Sequence, residues 1–221
     1  MITCIKFGKE RSVSFISHLD VLRVFERALR RTGLPLAYTK GFSPRPKLVF
    51  GQALSLGLTS RGEYLDISLE NEVDENEVQE LLNTTLPPGF PVYKAQNLDD
   101  KVKPVMAAIT HASYLFKGDK ALAMLEAMDM SEIIFTKEKN NKITETDLRP
   151  LINSIELYED GVKLICRAGS AYNLRPDALL TALSLDDKQI KICREDLFIE
   201  QNGSLVSPLM RGGDDERFSG A

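Results

Sequence analysis

Ile2-Thr3-Cys4-Ile5-Lys6-Phe7-Gly8 and the later run Ser17-His18-Leu19-Asp20-Val21-Leu22-Arg23-Val24-Phe25-Glu26-Arg27-Ala28-Leu29-Arg30-Arg31-Thr32-Gly33 carry two different periods. The first alternates, with Ile2, Cys4 and Lys6 on one side and Thr3, Ile5 and Phe7 on the other, as a strand does. In the second, Leu19, Leu22, Phe25 and Leu29 recur at three- and four-residue spacing, the pattern of one helix face. The Ser17 hydroxyl can cap the amide three residues on, where Asp20 suits both a capping box and the positive end of the helix dipole. Gly33 ends the helix as a residue free to take positive φ.

The next seventy residues continue the series. Leu34 to Thr39 reads as a short extended piece. Lys40-Gly41-Phe42-Ser43-Pro44-Arg45-Pro46-Lys47 cannot be helix, because each proline biases its predecessor away from the α region. Leu48 to Leu54 and Tyr64 to Leu69 read as strands joined by a link containing Gly57 and Gly62. Asp74 caps a helix reaching about Leu82, Pro87-Pro88-Gly89 stops it, and Pro91 to Ala95 closes the unit. The order is β-α-β-β-α-β, that of a ferredoxin-like unit, over residues 1–98.

A charged link from Asp99 to Pro104 separates a second α+β region, residues 105–210. Ala112 to Phe116 reads as a strand, Lys120 to Met128 as a helix, and Ile133 to Thr136, Ile152 to Tyr158 and Val162 to Arg167 as strands. Pro176 to Leu183 is a short helix with proline in its first turn, and Ile190 to Cys193 a last strand. The expected fold is therefore α+β, with tandem ferredoxin-like units, the second decorated. A Gly- and charge-rich tail, residues 211–221, is expected to be flexible.

Composition narrows the chemistry. The hydrophobic fraction of 43% and charged fraction of 27% are ordinary for a folded chain, so disorder is not the default. There is no long apolar run and no signal-peptide core, which makes the cytoplasm the expected compartment and a membrane an unexpected one. Cys4, Cys166 and Cys193 are scattered, and His18 and His111 are the two histidines. Neither a disulfide framework, a zinc site nor an iron–sulfur cluster has its usual ligands, so no metal and no cofactor of its own is expected. The phosphate-loop, dinucleotide and serine-hydrolase signatures are all missing. Charge, by contrast, is unevenly placed. Residues 1–50 hold ten Lys/Arg against three Asp/Glu, within a chain of net charge −4. A chain that is acidic overall and basic in one segment carries a localised electrostatic footprint.

That footprint has two parts. Arg23, Arg27, Arg30 and Arg31 share an arc of the first helix, beside Asp20, with Glu26 able to pair with Arg30 one turn on. They form either a solvated face or a site for phosphate or carboxylate, which the arginine fork binds bidentately. The Lys40–Lys47 loop sets Lys40, Arg45 and Lys47 around Phe42, cations interleaved with an aromatic, as suits a phosphate next to a stacked base. It equally reads as a rigid Pro-rich connection. His18, in the first helical turn, is a candidate general base or anion-positioning donor, its charge disfavoured by the dipole, and a structural role is as open. Asn173 and Arg175, where a Gly/Ser turn feeds a helix N-terminus, are a further anion-binding candidate or an ordinary start to a helix. Glu63 and Asp66 read as possible carboxylate ligands or as part of a surface strand.

Phe15-Ile16-Ser17-His18-Leu19-Asp20, Phe25-Glu26-Arg27-Ala28-Leu29-Arg30-Arg31, Gly33-Leu34-Pro35-Leu36-Ala37-Tyr38 and Gly41-Phe42-Ser43-Pro44-Arg45-Pro46 resemble the bacterial radical-SAM-linked protein family. The resemblance continues through Glu63-Tyr64-Leu65-Asp66 and Asn173-Leu174-Arg175-Pro176-Asp177, nearly the whole chain. That family is a domain of unknown function fused to, or encoded beside, cobalamin-binding radical SAM proteins. The resemblance implies an accessory protein whose partner carries cluster, cobalamin and S-adenosylmethionine. Joined to the basic first segment, it gives the expectation of an RNA-binding protein that presents RNA to a radical SAM modifying enzyme. An RNA-cleaving or RNA-modifying enzyme using His18, and a protein–protein adaptor, are the alternatives.

Overall fold

In the computed structural model, residues 1–139, 142–185 and 189–212 are described. β1 (Ile2–Lys9) leads through a 3-10 turn at Arg11–Val13 into α1 (His18–Thr32). Ser17 caps α1 by accepting from the Asp20 amide at 3.2 Å, and Gly33 follows at φ 77°. β2 (Leu48–Phe50), β3 (Thr59–Ser68), α2 (Glu75–Thr85) and β4 (Val92–Leu98) complete the first half. A one-turn helix, α3 (Val105–Ala108), precedes β5 (His111–Lys117) and a run of 3-10 helix at Asp119–Met128. A hairpin of β6 (Ile134–Lys139) and β7 (Lys142–Asp147) stands apart as its own two-stranded sheet. β8 (Ile152–Tyr158), β9 (Gly161–Arg167), α4 (Pro176–Ala182), β10 (Lys191–Gln201) and β11 (Ser204–Val206) finish the fold.

The architecture is mixed α+β with several β-α-β units. Its nine-stranded sheet runs β4-β1-β3-β10-β5-β9-β8, with β2 also on β3 and β11 on β10. In the first half Ile5, Phe7, Leu65, Ile67 and Val92 bury one sheet face against Phe25, Leu29, Val78 and Leu82 of α1 and α2. The Phe7 and Phe25 rings sit 4.6 Å apart. The inner stripe of α1 is Val21, Phe25, Ala28 and Leu29, so the expectation for Leu19 fails: it stands exposed. At 100° per residue Leu19 falls among Arg23, Arg27 and Arg30 on the outer side.

The halves meet at β3, whose outer edge is shared. β2 pairs with its far end, Leu48 opposite Ile67 and Phe50 opposite Leu65. β10 pairs in parallel with its beginning, Cys193 opposite Thr59 and Arg194 opposite Ser60. This explains why β2 stops at Phe50 and not at Leu54. The Gln52 and Ala53 carbonyls accept instead from the Arg194 guanidinium, at 2.7 and 3.4 Å. It also explains why β10 outruns its expected end at Cys193, since its charged residues find partners across the joint.

Those partners make the joint polar, with a dry pair at its centre. Arg194, 0% exposed, grips Glu63 with both Nε (2.8 Å) and Nη2. Burial works against the guanidinium charge, but Glu63 and Tyr114 outweigh it and raise the Arg194 pKa. Asp196 accepts from Lys6 Nζ at 2.6 Å and from the Tyr64 hydroxyl at 2.7 Å. A second buried pair joins Asp66 to Arg211, which also donates to the Lys103 and Pro208 carbonyls, both at 2.8 Å. Glu63 and Asp66 are thus buried and paired, and the surface-strand alternative falls. Arg211, assigned by sequence to the flexible tail, is buried as well, while residues 213–221 lie outside the described residues.

Candidate nucleic-acid interface

The register divides the sheet into two ends. At one, Ile2 pairs with Ser68, and the Ser68 amide donates to the Lys47 carbonyl at 3.1 Å. At the other, Lys9 pairs with Ser60, and Cys193 and Lys117 lie on the strands beyond. α1 runs from the second end toward the first, its fifteen residues covering about 22 Å.

The expected cations lie on three different elements. Arg23, Arg27, Arg30 and Arg31 are exposed on α1. Arg23 pairs with Asp20 at 3.0 Å, and Arg31 donates to the Thr85 carbonyl. Lys40, Phe42, Arg45 and Lys47 are exposed on the loop at the first end, and Phe42 makes no packing contact that hides its ring. The loop is braced by the Tyr38–Pro46 bridge and by the Arg45 amide donating to Thr39 Oγ1 at 3.1 Å. Asn173 and Arg175 lie beyond Arg167, also at the first end but on the second half, and Arg175 is occupied by Asp177.

The second end holds a feature that sequence reading missed. A cleft of roughly 930 Å³, counted to its open mouth, lies where β1 ends and β3 and β10 begin. Its walls carry Lys9, Arg11, Arg61, Lys117 and Lys191 against Glu10 and Glu195, with Tyr93 and Cys193 among them. Lys117 is compensated by Asp160 at 2.6 Å, and Arg61 only loosely by Glu195 at 3.9 Å. Arg11 and Lys191 are exposed and have no side-chain partner among the described residues. Tyr93 is the extra residue where the β1–β4 register shifts, between Lys94 opposite Lys6 and Val92 opposite Phe7, and its exposed ring reaches over Gly8. A concave cationic wall with one aromatic is the form that a phosphate backbone and a stacked base require. The part of the cleft open to water-sized groups, about 430 Å³, has the volume of an ordinary small-ligand site.

Residues 3–176 match the family described as an uncharacterized protein conserved in bacteria, DUF2344. The chain belongs to that family. No curated protein matches it. In this DUF2344 member the match ends at Pro176, so Lys191, Cys193 and Glu195 of the cleft lie beyond the matched span.

His18 sits on the other side of Lys9 from the cleft. Its ring meets Phe50 edge-on at 5.6 Å and helps line a small pocket with Lys9, Val21, Gln52, Leu54 and Glu63, with space for about one water-sized group. The imidazole has no hydrogen-bond partner among the described residues. Partial burial lowers its pKa, Glu63 opposes the shift, and Arg194 and Lys9 reinforce it. Lys9, buried with Nζ donating to the Ser14 and Ile16 carbonyls at 2.9 Å, is likewise lowered by burial. A histidine whose folded pKa lies below its unfolded value binds fewer protons folded than unfolded, so stability falls as pH drops below about 6.5. His111, buried beside Thr110 with its pKa also lowered by burial, contributes with the same sign. Urea titrations at neutral pH and near pH 5 should show wild-type losing stability on acidification, with His18→Asn losing less. Equal losses in both would mean that the fold does not disfavour the charged imidazole.

Proposed function

We propose that this protein is an accessory RNA-binding protein that presents RNA to a partner radical SAM modifying enzyme, with the joint cleft as its RNA site. The observation that carries the reading is the concave cationic cleft with Tyr93 in its wall. A partner-binding patch would be flat and apolar at its centre. We read the two halves as tandem ferredoxin-like units, because β4-β1-β3 with β2, and β10-β5-β9-β8, follow the same relative order. The radical SAM partner rests on the family resemblance of the opening motifs, and a cytoplasmic setting goes with it.

The other cationic groups then take secondary roles. The Lys40–Lys47 loop, with Phe42 exposed, would offer a second contact to a longer RNA. The outer face of α1, where Leu19 joins Arg23, Arg27 and Arg30, suits the partner protein better than RNA because of its exposed leucine.

The test is crosslinking in cells followed by sequencing of the RNA recovered. Wild-type protein should recover RNA above a charge-matched control, and an Arg11→Glu, Lys191→Glu variant should not. Recovery no better than the control from wild-type protein removes the reading.

An RNA-cleaving enzyme is the second reading, favoured by the unpartnered His18 imidazole held toward its neutral form beside Lys9. His18→Asn would then abolish product, roughly 10²- to 10⁴-fold, with affinity intact. No product from wild-type protein leaves the accessory reading alone.

A further inference from the structure

Three consecutive charged residues of β10 cross the joint, and they are treated differently. Arg194 is saturated by Glu63 and two carbonyls, and Asp196 by Lys6, Tyr64 and the Leu197 amide. Glu195, between them, is not. Its Oε1 is the one buried side-chain polar atom without a hydrogen-bond partner among the described residues. A buried carboxylate oxygen left without a donor is costly, so such an atom marks a place where a donor arrives.

Two further features aim it. The β10–β5 register shifts between Arg194 and Asp196, a bulge centred on Glu195, and bulges re-aim side chains beside binding sites. Opposite stands Gly62, where a Cβ would lie 2.4 Å from the Asp196 Cα and 2.6 Å from the Glu195 carbonyl oxygen. The missing side chain lets the bulge press against β3. Glu195 then reaches into the cleft wall between Arg61 and Cys193. The Cys193 thiol reaches Glu195 but supplies little: it is a weak donor, and its Sγ also lies 3.7 Å from the Arg194 carbonyl.

A carboxylate in a cationic cleft weakens phosphate binding unless it performs a recognition task. We infer that Glu195 accepts a hydrogen bond from the ribose 2′-hydroxyl of a nucleotide whose phosphates lie on Arg11 and Lys191, and so selects RNA over DNA. The 2′-hydroxyl is the donor by which a protein tells the two apart. The inference rests on the reading of the cleft as the RNA site and adds to it a discriminating residue.

The experiment compares fluorescent single-stranded oligouridylate and oligodeoxyuridylate of about twelve nucleotides, which share a base and differ in the hydroxyl. Wild-type protein should prefer the ribose form by about ten- to a hundredfold, the scale of a hydrogen bond to a charged acceptor. Glu195→Ala should bring the ratio near one while leaving the deoxy form bound as well or better, because a negative charge has gone. Glu195→Gln keeps the shape and should lower the ratio part-way, and it carries the test if the alanine variant melts early. A ratio near one for wild-type protein, or a ratio unchanged in both variants, overturns the inference and leaves RNA binding standing. Binding of neither probe by wild-type protein overturns the RNA reading together with it.

Discussion

Replacing Arg194 with Met is expected to cost about 3–5 kcal/mol, the usual penalty for removing one partner of a buried ion pair. The guanidinium is fully buried and satisfies Glu63 together with the Gln52 and Ala53 carbonyls. Methionine fills much of the volume but strands a carboxylate and two carbonyls at the point where the half-sheets meet. In a chain of this size that should lower Tm by about 10 °C. Adding Glu63→Leu should recover much of the loss, because an apolar pair in place of a buried ion pair is often neutral. The double-mutant cycle reads the coupling directly. A single variant that melts with wild-type would mean the pair is solvated and the centre of the joint is not dry.

Gly62→Ala tests the same joint from the β3 side. The added methyl would meet backbone at 2.4 and 2.6 Å, and neither the Asp196 Cα nor the Glu195 carbonyl can swing away. β3 and β10 must separate or shift register, at about 1–3 kcal/mol by the usual cost of overpacking. Because the bulge at Glu195 depends on that contact, the change should also loosen the cleft. A urea midpoint equal to wild-type, with unchanged protection of the β10 amides in hydrogen exchange, would contradict the placement of β10 on β3.

Much of the first half was legible because its signals are local. The alternation of Ile2 to Gly8, the Ser17 and Asp74 caps and the Gly33 stop each act within a few residues, and each element stands where they put it. β7 was missed because Ile143-Thr144-Glu145 is exposed along its length and reads as polar chain. The inner face of α1 was misjudged at Leu19, where a leucine at helical spacing turned out to face outward. β10 was cut short at Cys193 because Arg194-Glu195-Asp196 resembles a turn until Glu63, Tyr64 and Lys6 are brought opposite. The cleft was invisible for the same reason. Arg11, Arg61, Tyr93, Lys117 and Lys191 are isolated charges and an aromatic at strand ends, and only the β3–β10 pairing gathers them. The sole sequence hint was the placing of charged residues inside apolar strands, as in Glu63-Tyr64-Leu65-Asp66-Ile67.

The most direct measurement is the salt dependence of oligouridylate binding to wild-type protein and to Arg11→Ala, Lys191→Ala and Arg30→Ala variants. Contacts to phosphate release counterions, so log affinity should fall with log salt by about 0.7 for each phosphate neutralised on a single strand. Arg11→Ala and Lys191→Ala should each shallow that slope by about 0.7, while Arg30→Ala, on the outer face of α1, leaves it where it was. Slopes untouched by the two cleft variants, or shallowed only by Arg30→Ala, would contradict the cleft as the RNA site.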